Sequence, residues 1–351
     1  MPEEINIQYD LLLPMSDLLN NSKSASNSEG WMFVHEVVEL STALKAKALV
    51  HLLSKDDCEA VLYFDPDMML FSDLTDLTDS FKVGSILLTP HLTQQEDNDD
   101  LFAIRDNEIS CLKHGTYNLG FVGVKNNQEG HRFAQWWQAR THEFCRDDIP
   151  NGLFTDQKWI DLVPALFESH YILRNERYNV ATWNYSSRTL SGNVPEGITV
   201  NRQRLGFYHF TGIDSGAHDI MAERYAEGNK TSSELIKWYK DQLQQCHLDR
   251  KGWTYNYYNN GVKIKPLHRH IYRSIISIQK RFLDPYDASN KESFYQWVKY
   301  RQYVFRFIPA TLILFNYKKR HNNQSFFILW KNSVKNQGVK QSIKSLFKLF
   351  Y

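Results

Sequence analysis

The stretch VLYFDPDMMLFSDL, residues 61–74, sets both the fold and the candidate chemistry of this 351-residue chain. Residues 60–64 (AVLYF) form a short, continuous apolar run, which is typical of a buried strand in a parallel or mixed sheet. The run stops at Asp65-Pro66-Asp67, where the proline prevents the segment from continuing as a helix. Because carboxylates two residues apart on an extended segment point to the same side, we predict that they lie together at the end of the strand.

Paired carboxylates at this position suit a hard divalent cation such as Mg²⁺ or Mn²⁺. Such an ion neutralises a diphosphate and lets it leave. The alternative interpretation is a plain Asp-Pro-Asp turn that caps the next segment. From these residues alone both interpretations stay open.

The flanking segments alternate between helical and strand patterns. Residues 36–53 predict an amphipathic helix, in which Thr42 and Lys45 share a side flanking the apolar stripe. Alternating strands and helices predict an α/β fold with a parallel or mixed sheet flanked by helices, and the resemblance described below implies the mixed form. The further predicted strands are residues 83–88, 119–124 and 207–210, and the further helices are residues 129–144 and one that begins near Asp156.

The charge is distributed unevenly along the chain. Residues 261–351 carry eighteen Lys and Arg against three Asp and Glu, a net of +15, whereas residues 1–260 have a net of −14. With 42% hydrophobic and 23% charged residues the chain is globular rather than disordered. We therefore predict an α/β domain over residues 1–230 and a basic, mainly helical region over residues 231–351.

The cysteines and the termini indicate a cytoplasmic protein. The four cysteines are far apart and form no Cys-x-x-Cys pair, which argues against a zinc site and a disulfide framework. The N-terminus lacks the apolar region of a signal peptide, and apolar stretches such as residues 307–315 are too short to span a bilayer. We expect a cytoplasmic location.

Five polar residues are further candidates for the site, and each also has a purely structural interpretation. Asn118 suits hydrogen bonding to a sugar hydroxyl, but it also suits a turn. Asp156 and Gln157 open a predicted helix, where the simpler interpretation is an N-terminal cap. By the same reasoning, His209 fits a core histidine and Lys45 a solvated helix lysine.

Taken in chain order, these residues resemble the motifs of GT-A-fold glycosyltransferases related to family 8 and to bacterial polysaccharide-biosynthesis members. The resemblance covers residues 31–214 and not the C-terminal region. It is carried by five short motifs in the family's order, namely Thr42-x-x-Lys45, the Asp65-x-Asp67 stretch, Asn118-x-Gly120, Asp156-Gln157 and His209-x-x-Gly212.

The resemblance implies a GT-A-like fold and transfer of a sugar from a nucleotide-sugar donor, usually a UDP-sugar. The acceptor would be a saccharide or a lipid-linked molecule, as in surface polysaccharide biosynthesis. Mn²⁺ or Mg²⁺ would be bound by Asp65, Asp67 and His209. The donor would contact Thr42, Lys45, Asn118, Gly120 and Gly212, and catalysis at the reacting carbon would involve Asp156 and Gln157.

The chain departs from the family's pattern at two places. A family lysine that holds the diphosphate is replaced by Ser215; either Arg202, Arg204 or Lys230 substitutes for it, or no residue does. The family's first strand and turn receive the nucleotide base, whereas residues 2–14 look like the end of the second unit. We therefore expect the first strand and helix to be missing.

Two other functions compete with the glycosyltransferase interpretation. A haloacid-dehalogenase-type phosphatase also places Asp-x-Asp after an apolar strand, with the first aspartate as the nucleophile. Met69 stands where that class usually has Thr or Val, and no late acidic pair completes its magnesium site. The second alternative is a carbohydrate-binding pseudoenzyme.

The basic C-terminal segment suggests a peripheral membrane contact. Lys340, Lys344 and Lys348 recur at four-residue spacing beside Phe and Leu, which suits a helix lying on the anionic inner face of a membrane. The alternative is packing of this tail on the acidic body of the chain. Nucleic acid is not expected as a partner, because no recognised binding motif is present.

Overall fold

The computed structural model of the protein describes residues 11–20, 27–245 and 254–305, which fall into two compact units. The first unit contains residues 11–20 and 37–245, and the second contains residues 27–36 and 254–305. The division lies beyond the helix Lys230–Gln245 rather than at residue 230, because Leu235, Ile236 and Tyr239 of that helix pack into a core of the first unit.

All of the strands in the described residues belong to the first unit. They are β1 (Ala60–Phe64), β2 (Met68–Leu70), β3 (Ile86–Pro90), β4 (Tyr117–Lys125), β5 (Arg146–Asp148), β6 (Leu153–Thr155), β7 (His170–Ile172), β8 (Leu190–Asn193), β9 (Gly197–Val200), β10 (Gln203–Arg204) and β11 (Phe207–His209).

The helices occur in both units. Those of the first are α1 (Met15–Asn20), α3 (Val37–Leu53), α4 (Thr75–Asp79), α5 (Leu101–Ala103), α6 (Ile109–His114), α7 (Gln128–Phe144), α8 (Val163–Leu166), α9 (Ala217–Tyr225) and α10 (Lys230–Gln245); a π-helical turn, Ile104–Glu108, joins α5 to α6. Those of the second are α2 (Ser28–Phe33), α11 (Pro266–Ser274), α12 (Ile276–Arg281) and α13 (Phe294–Phe305).

The main sheet of the first unit is mixed, as the α/β interpretation of the sequence predicts. Its order is β1-β4-β3-β7, with β7 parallel to β3 and the other two pairings antiparallel. Strand β1 is half-buried along its whole length, whereas its apolar sequence predicted full burial. The reason is its position: among the described strands it pairs with β4 alone.

Helices α3 and α7 contribute to the core on the main sheet. Leu49 and Leu53 of α3 and Phe133 and Trp137 of α7 are buried in one apolar cluster with residues of β3 and β4. Burying a large apolar side chain of this kind contributes roughly 1.5–3 kcal/mol. The indole N–H of Trp137 also donates to the backbone oxygen of Asp156 (3.1 Å), so this core fixes a residue of the candidate site.

The second unit is built around an aromatic cluster. Phe33 of α2 packs edge-on against Tyr272 of α11 and Phe294 of α13. The buried Arg269 donates to the backbone oxygens of Phe33 and Tyr255, which ties α2 to α11. In the described part of the chain, no helix has the length and apolar character needed to cross a membrane. The predicted membrane contact through Lys340, Lys344 and Lys348 lies outside the described residues.

Candidate metal centre and adjoining cavity

A cavity of about 330 Å³ in the first unit brings the predicted site residues together. Nine of them line it, namely Thr42, Lys45, Asp65, Asp67, Asn118, Gly120, Asp156, Gln157 and His209. Gly212 is not part of the lining, although its neighbour Thr211 is. With a φ of +77°, Gly212 instead forms the turn before α9, where its carbonyl accepts from the N–H of His218.

The segment that carries the two aspartates is a turn, so the prediction of an extended segment was wrong. The backbone N–H of Met68 donates to the carbonyl of Asp65 (2.9 Å), which closes the turn. The carboxylates converge nevertheless. One oxygen each of Asp65 and Asp67 and a ring nitrogen of His209 all lie within 4.8 Å of one another. The turn and the paired carboxylates are thus compatible rather than alternative interpretations.

A short antiparallel ladder carries His209 to the turn. Strand β11 pairs with β2 so that His209 lies opposite Met68, and the N–H of Phe210 donates to the carbonyl of Asp67 (2.8 Å). The Nε2 atom of His209 lies 3.0 Å from Oδ1 of Asp67. Burial would raise the pKa of Asp67, but the hydrogen bond and charge of His209 outweigh it and hold that pKa below its usual range. Two carboxylate oxygens and one imidazole nitrogen fit Mn²⁺ or Mg²⁺ as ligands.

Lys45 is not a solvated helix lysine. Its ammonium lies 3.0 Å from Asp65 and 3.4 Å from Asp156, and it donates to the carbonyl of Leu119 (3.1 Å). Burial would lower the pKa of Lys45, but the two carboxylates outweigh it and raise that pKa. Tyr63 also holds the carboxylate of Asp65 in place, because its hydroxyl donates to that carboxylate (2.5 Å).

Asp156 is not a helix cap. It precedes a 3₁₀ turn (Lys158–Leu162) whose N-cap position is Gln157, and its carboxylate faces Lys45 and the hydroxyl of Thr155. Asp156 is only 2% exposed, and burial raises its pKa. The ammonium of Lys45 opposes this rise without outweighing it, and the negative charge of Asp65 adds to it.

A sugar pocket lined by Asn118 and Asp156 would leave both side chains partly accessible, but both are buried. Asn118 is buried, and its oxygen accepts from the N–H of Gly120 (3.2 Å) and pairs with Nδ1 of His209 (3.1 Å). The side chain of Gln157 is likewise hydrogen-bonded within the protein. Its amide accepts from the N–H of Leu119 (3.1 Å) and donates to the carbonyl of His114 (3.1 Å).

Gly120 leaves the space that His209 occupies. A Cβ atom at Gly120 would lie 2.6 Å from the imidazole Cε1, 2.6 Å from Cε of Met68 and 2.8 Å from Oδ1 of Asn118. We expect Gly120→Ala to cost about 1–3 kcal/mol of stability through overpacking and to weaken Mn²⁺ binding, because the ring must move. Denaturant unfolding and calorimetric Mn²⁺ titration measure the two effects.

The matched control for this prediction lies on the same strand. Gly123→Ala crowds Leu87 and Leu62 at 3.0–3.1 Å and lies outside the cavity lining. It should lower stability and leave Mn²⁺ affinity within about threefold of the parent. Equal loss of Mn²⁺ affinity in both variants would mean that crowding of the strand, and not a shift of His209, weakens Mn²⁺ binding.

His91, Asp106 and Trp183 are among the cavity-lining residues that sequence reasoning missed. His91 follows β3, Asp106 lies in the π-helical turn, and Trp183 lies in a 3₁₀ turn (Thr182–Asn184). The position of His91 at a strand end is a signal that could have been used. The other two lie in segments with no recognisable motif.

Comparison with known proteins gives relatives but no activity. No protein-family model matches the chain. It is 27% identical over 161 residues to "Uncharacterized protein YfnF" of Bacillus subtilis (strain 168), covering 45% of this chain and 51% of that protein. It is also 27% identical over 178 residues to "Uncharacterized protein YfnD" of the same organism, covering 50% of this chain and 54% of that protein. The chain thus spans about half the length of these relatives.

Proposed function

We propose that the chain is a divalent-cation-dependent glycosyltransferase that uses a nucleotide-sugar donor, most simply a UDP-sugar. The observation that carries the proposal is the convergence of Asp65, Asp67 and His209 at one cavity wall, beside the Lys45–Asp156 pair. Mn²⁺ or Mg²⁺ held there would neutralise the charge of the diphosphate leaving group. The acceptor we propose is a saccharide or a lipid-linked saccharide.

The charge balance of the cavity supports strict dependence on the cation. Among the described residues that line it, Lys45 is the only lysine or arginine, against four aspartates. Arg202, Arg204 and Lys230, which the sequence offered in place of the lysine missing at Ser215, lie outside this lining. Because Lys45 already pairs with two carboxylates, the protein alone supplies too little positive charge for a diphosphate.

The roles of the protein groups follow from their contacts. Lys45 keeps Asp65 oriented from one side, and Tyr63 does so through its hydroxyl. Asp156 lies against the same ammonium in the interior of the cavity wall, where a sugar bound to the diphosphate would be near it. Gln157 and Asn118 brace the wall through hydrogen bonds to backbone and to His209, so we assign them no direct contact with the reacting carbon.

The proposal is tested by incubating the purified chain with UDP-sugars and Mn²⁺ and measuring the release of UDP. We expect release that stops in EDTA and returns with added Mn²⁺ or Mg²⁺. Hydrolysis of p-nitrophenyl phosphate without any action on UDP-sugars would favour the phosphatase. Cation-dependent UDP binding with no turnover of any UDP-sugar would favour the pseudoenzyme.

Asp156 should contribute to turnover more than to donor binding. We expect Asp156→Asn to lower kcat by roughly 100-fold or more while the KM for the donor changes less than threefold, because the change lies beside the reacting carbon and away from the nucleotide. The control is Asp161→Asn. The carboxylate of Asp161 accepts from the N–H of Thr116 and pairs with Lys158, and the residue lies outside the cavity lining. Equal effects on kcat and KM, or none, would assign Asp156 a purely structural role.

A further inference from the structure

A continuous line of hydrogen bonds lies behind His209. Nδ1 of His91 lies 3.1 Å from the backbone oxygen of Thr116, and Nε2 of His91 lies 3.3 Å from the amide nitrogen of Asn118. The amide oxygen of Asn118 lies 3.1 Å from Nδ1 of His209. The opposite ring nitrogen of His209, Nε2, faces Asp67.

The protons of this line can be placed from its ends. A backbone carbonyl only accepts, so Nδ1 of His91 carries the proton and Nε2 presents its lone pair. Asn118 must therefore donate with its nitrogen toward His91 and present its oxygen to His209. The backbone N–H of Gly120, which donates to the same oxygen (3.2 Å), requires the same orientation of the amide independently.

The consequence falls on the candidate metal ligand. Because the oxygen of Asn118 accepts, Nδ1 of His209 carries a proton. The nitrogen that can offer a lone pair to a cation is therefore Nε2, once the cation takes the place of the proton that Nε2 donates to Asp67. Trp183 packs against both rings, with centroids 5.2 Å from His91 and 5.4 Å from His209 at steep angles. This packing restricts the rotation of both imidazoles.

We propose that His91 is a positioning residue for metal binding, acting on His209 through Asn118. Its lone pair, together with the N–H of Gly120, fixes the orientation of the Asn118 amide, and that amide positions the ring of His209 through a proton on Nδ1. The inference rests on the proposed metal site and adds a group that none of the sequence motifs contains. Hydrogen-bond partners of this kind around a metal ligand typically change metal affinity by roughly 10- to 100-fold.

The test compares two replacements of His91. His91→Phe keeps a flat ring but removes the acceptor, so the N–H of Gly120 is left as the one group of these two that still orients the Asn118 amide. His91→Gln keeps a terminal oxygen near the position of Nε2 and can still accept from Asn118. Co²⁺ and Mg²⁺ are titrated separately into the full chain without nucleotide, and the visible spectrum of Co²⁺ reports the loss of a nitrogen ligand.

We expect His91→Phe to lose roughly 10- to 100-fold in Co²⁺ affinity and distinctly less in Mg²⁺ affinity, because Co²⁺ gains more from an imidazole ligand. His91→Gln should stay within about threefold of the parent for both ions. The control is His170→Phe, since His170 binds the carbonyl of Phe167 and lies outside the cavity lining. It should leave both affinities unchanged.

Each other outcome contradicts a stated step. Unchanged Co²⁺ affinity in His91→Phe overturns the inference, and so does an equal loss for Co²⁺ and Mg²⁺ in both His91 variants, which would indicate a packing defect. A parent chain that binds neither ion would instead refute the metal site of the proposed function. Thermal melting of each variant establishes that the folded state is what is titrated.

Discussion

Replacing Asp67 with alanine is expected to abolish the cation-dependent binding of UDP. The substitution leaves an incomplete set of ligands. Without the cation the diphosphate faces Asp65, Asp106 and Asp156, and Lys45 is the only lysine or arginine among the described residues of the lining. We expect UDP affinity in Mn²⁺ to fall at least about 100-fold, equivalent to about 2.7 kcal/mol. Isothermal titration with UDP, in Mn²⁺ and in EDTA, measures the effect.

The matched control is another aspartate of the same stretch. Asp73 is exposed, binds the backbone and hydroxyl of Thr75, and lies outside the cavity lining, so Asp73→Ala should leave UDP binding unchanged. Because the side chain of Asp67 is 39% exposed, its replacement should not prevent folding. The metal proposal is falsified if Asp67→Ala binds UDP and Mn²⁺ like the parent.

The elements around the site could be predicted because their patterns are local. The helical repeat of residues 36–53 gives α3 (Val37–Leu53), and the apolar run of residues 60–64 gives β1. Residues 129–144 likewise match α7 (Gln128–Phe144). Short-range periodicity of this kind depends only on the geometry of the element itself.

The arrangement of the turn could not be predicted, because it depends on distant residues. Strand β2 has three residues and exists through its pairing with β11, about 140 positions later. The sequence predicted that His209 lies near the aspartates by resemblance, but nothing local to Met68 indicated the ladder that brings it there. The burial of Asn118 has the same origin, since its partners His91 and His209 lie on other elements.

The role of Lys45 also depends on distance in the chain. Helical periodicity placed it on a side flanking a predicted apolar stripe, but its ion-pair partners lie at positions 65 and 156. A lysine in that position of a helix usually reaches solvent. Here α3 and the loop after β6 close around it, and its side chain is 8% exposed. The burial of Lys45 and its ion pairs therefore depend on tertiary contacts, which local sequence patterns do not reveal.

Replacing Lys45 with methionine should therefore strongly destabilise the first unit. Removing one partner of a buried ion pair leaves an uncompensated charge and typically costs about 3–5 kcal/mol. Asp156, at 2% exposure, would be left without the ammonium that compensates its charge. The control Lys82→Met breaks an exposed pair with Asp79, where both side chains are more than half exposed, and should cost well under about 1 kcal/mol.

The pH dependence of stability separates the loss of charge compensation from a simple packing defect. Burial already raises the pKa of Asp156, and loss of the ammonium raises it further. In Lys45→Met the folded state then favours the protonated carboxyl, so stability is greatest below the unfolded carboxyl pKa of about 4 and falls as pH rises through the folded pKa. Urea unfolding across this range should show the decline.

Lys45→Met combined with Asp156→Asn should recover much of the lost stability and make it nearly independent of pH, since the double variant buries a neutral amide. A single variant whose stability stays independent of pH would show that Asp156 is not the group that Lys45 compensates.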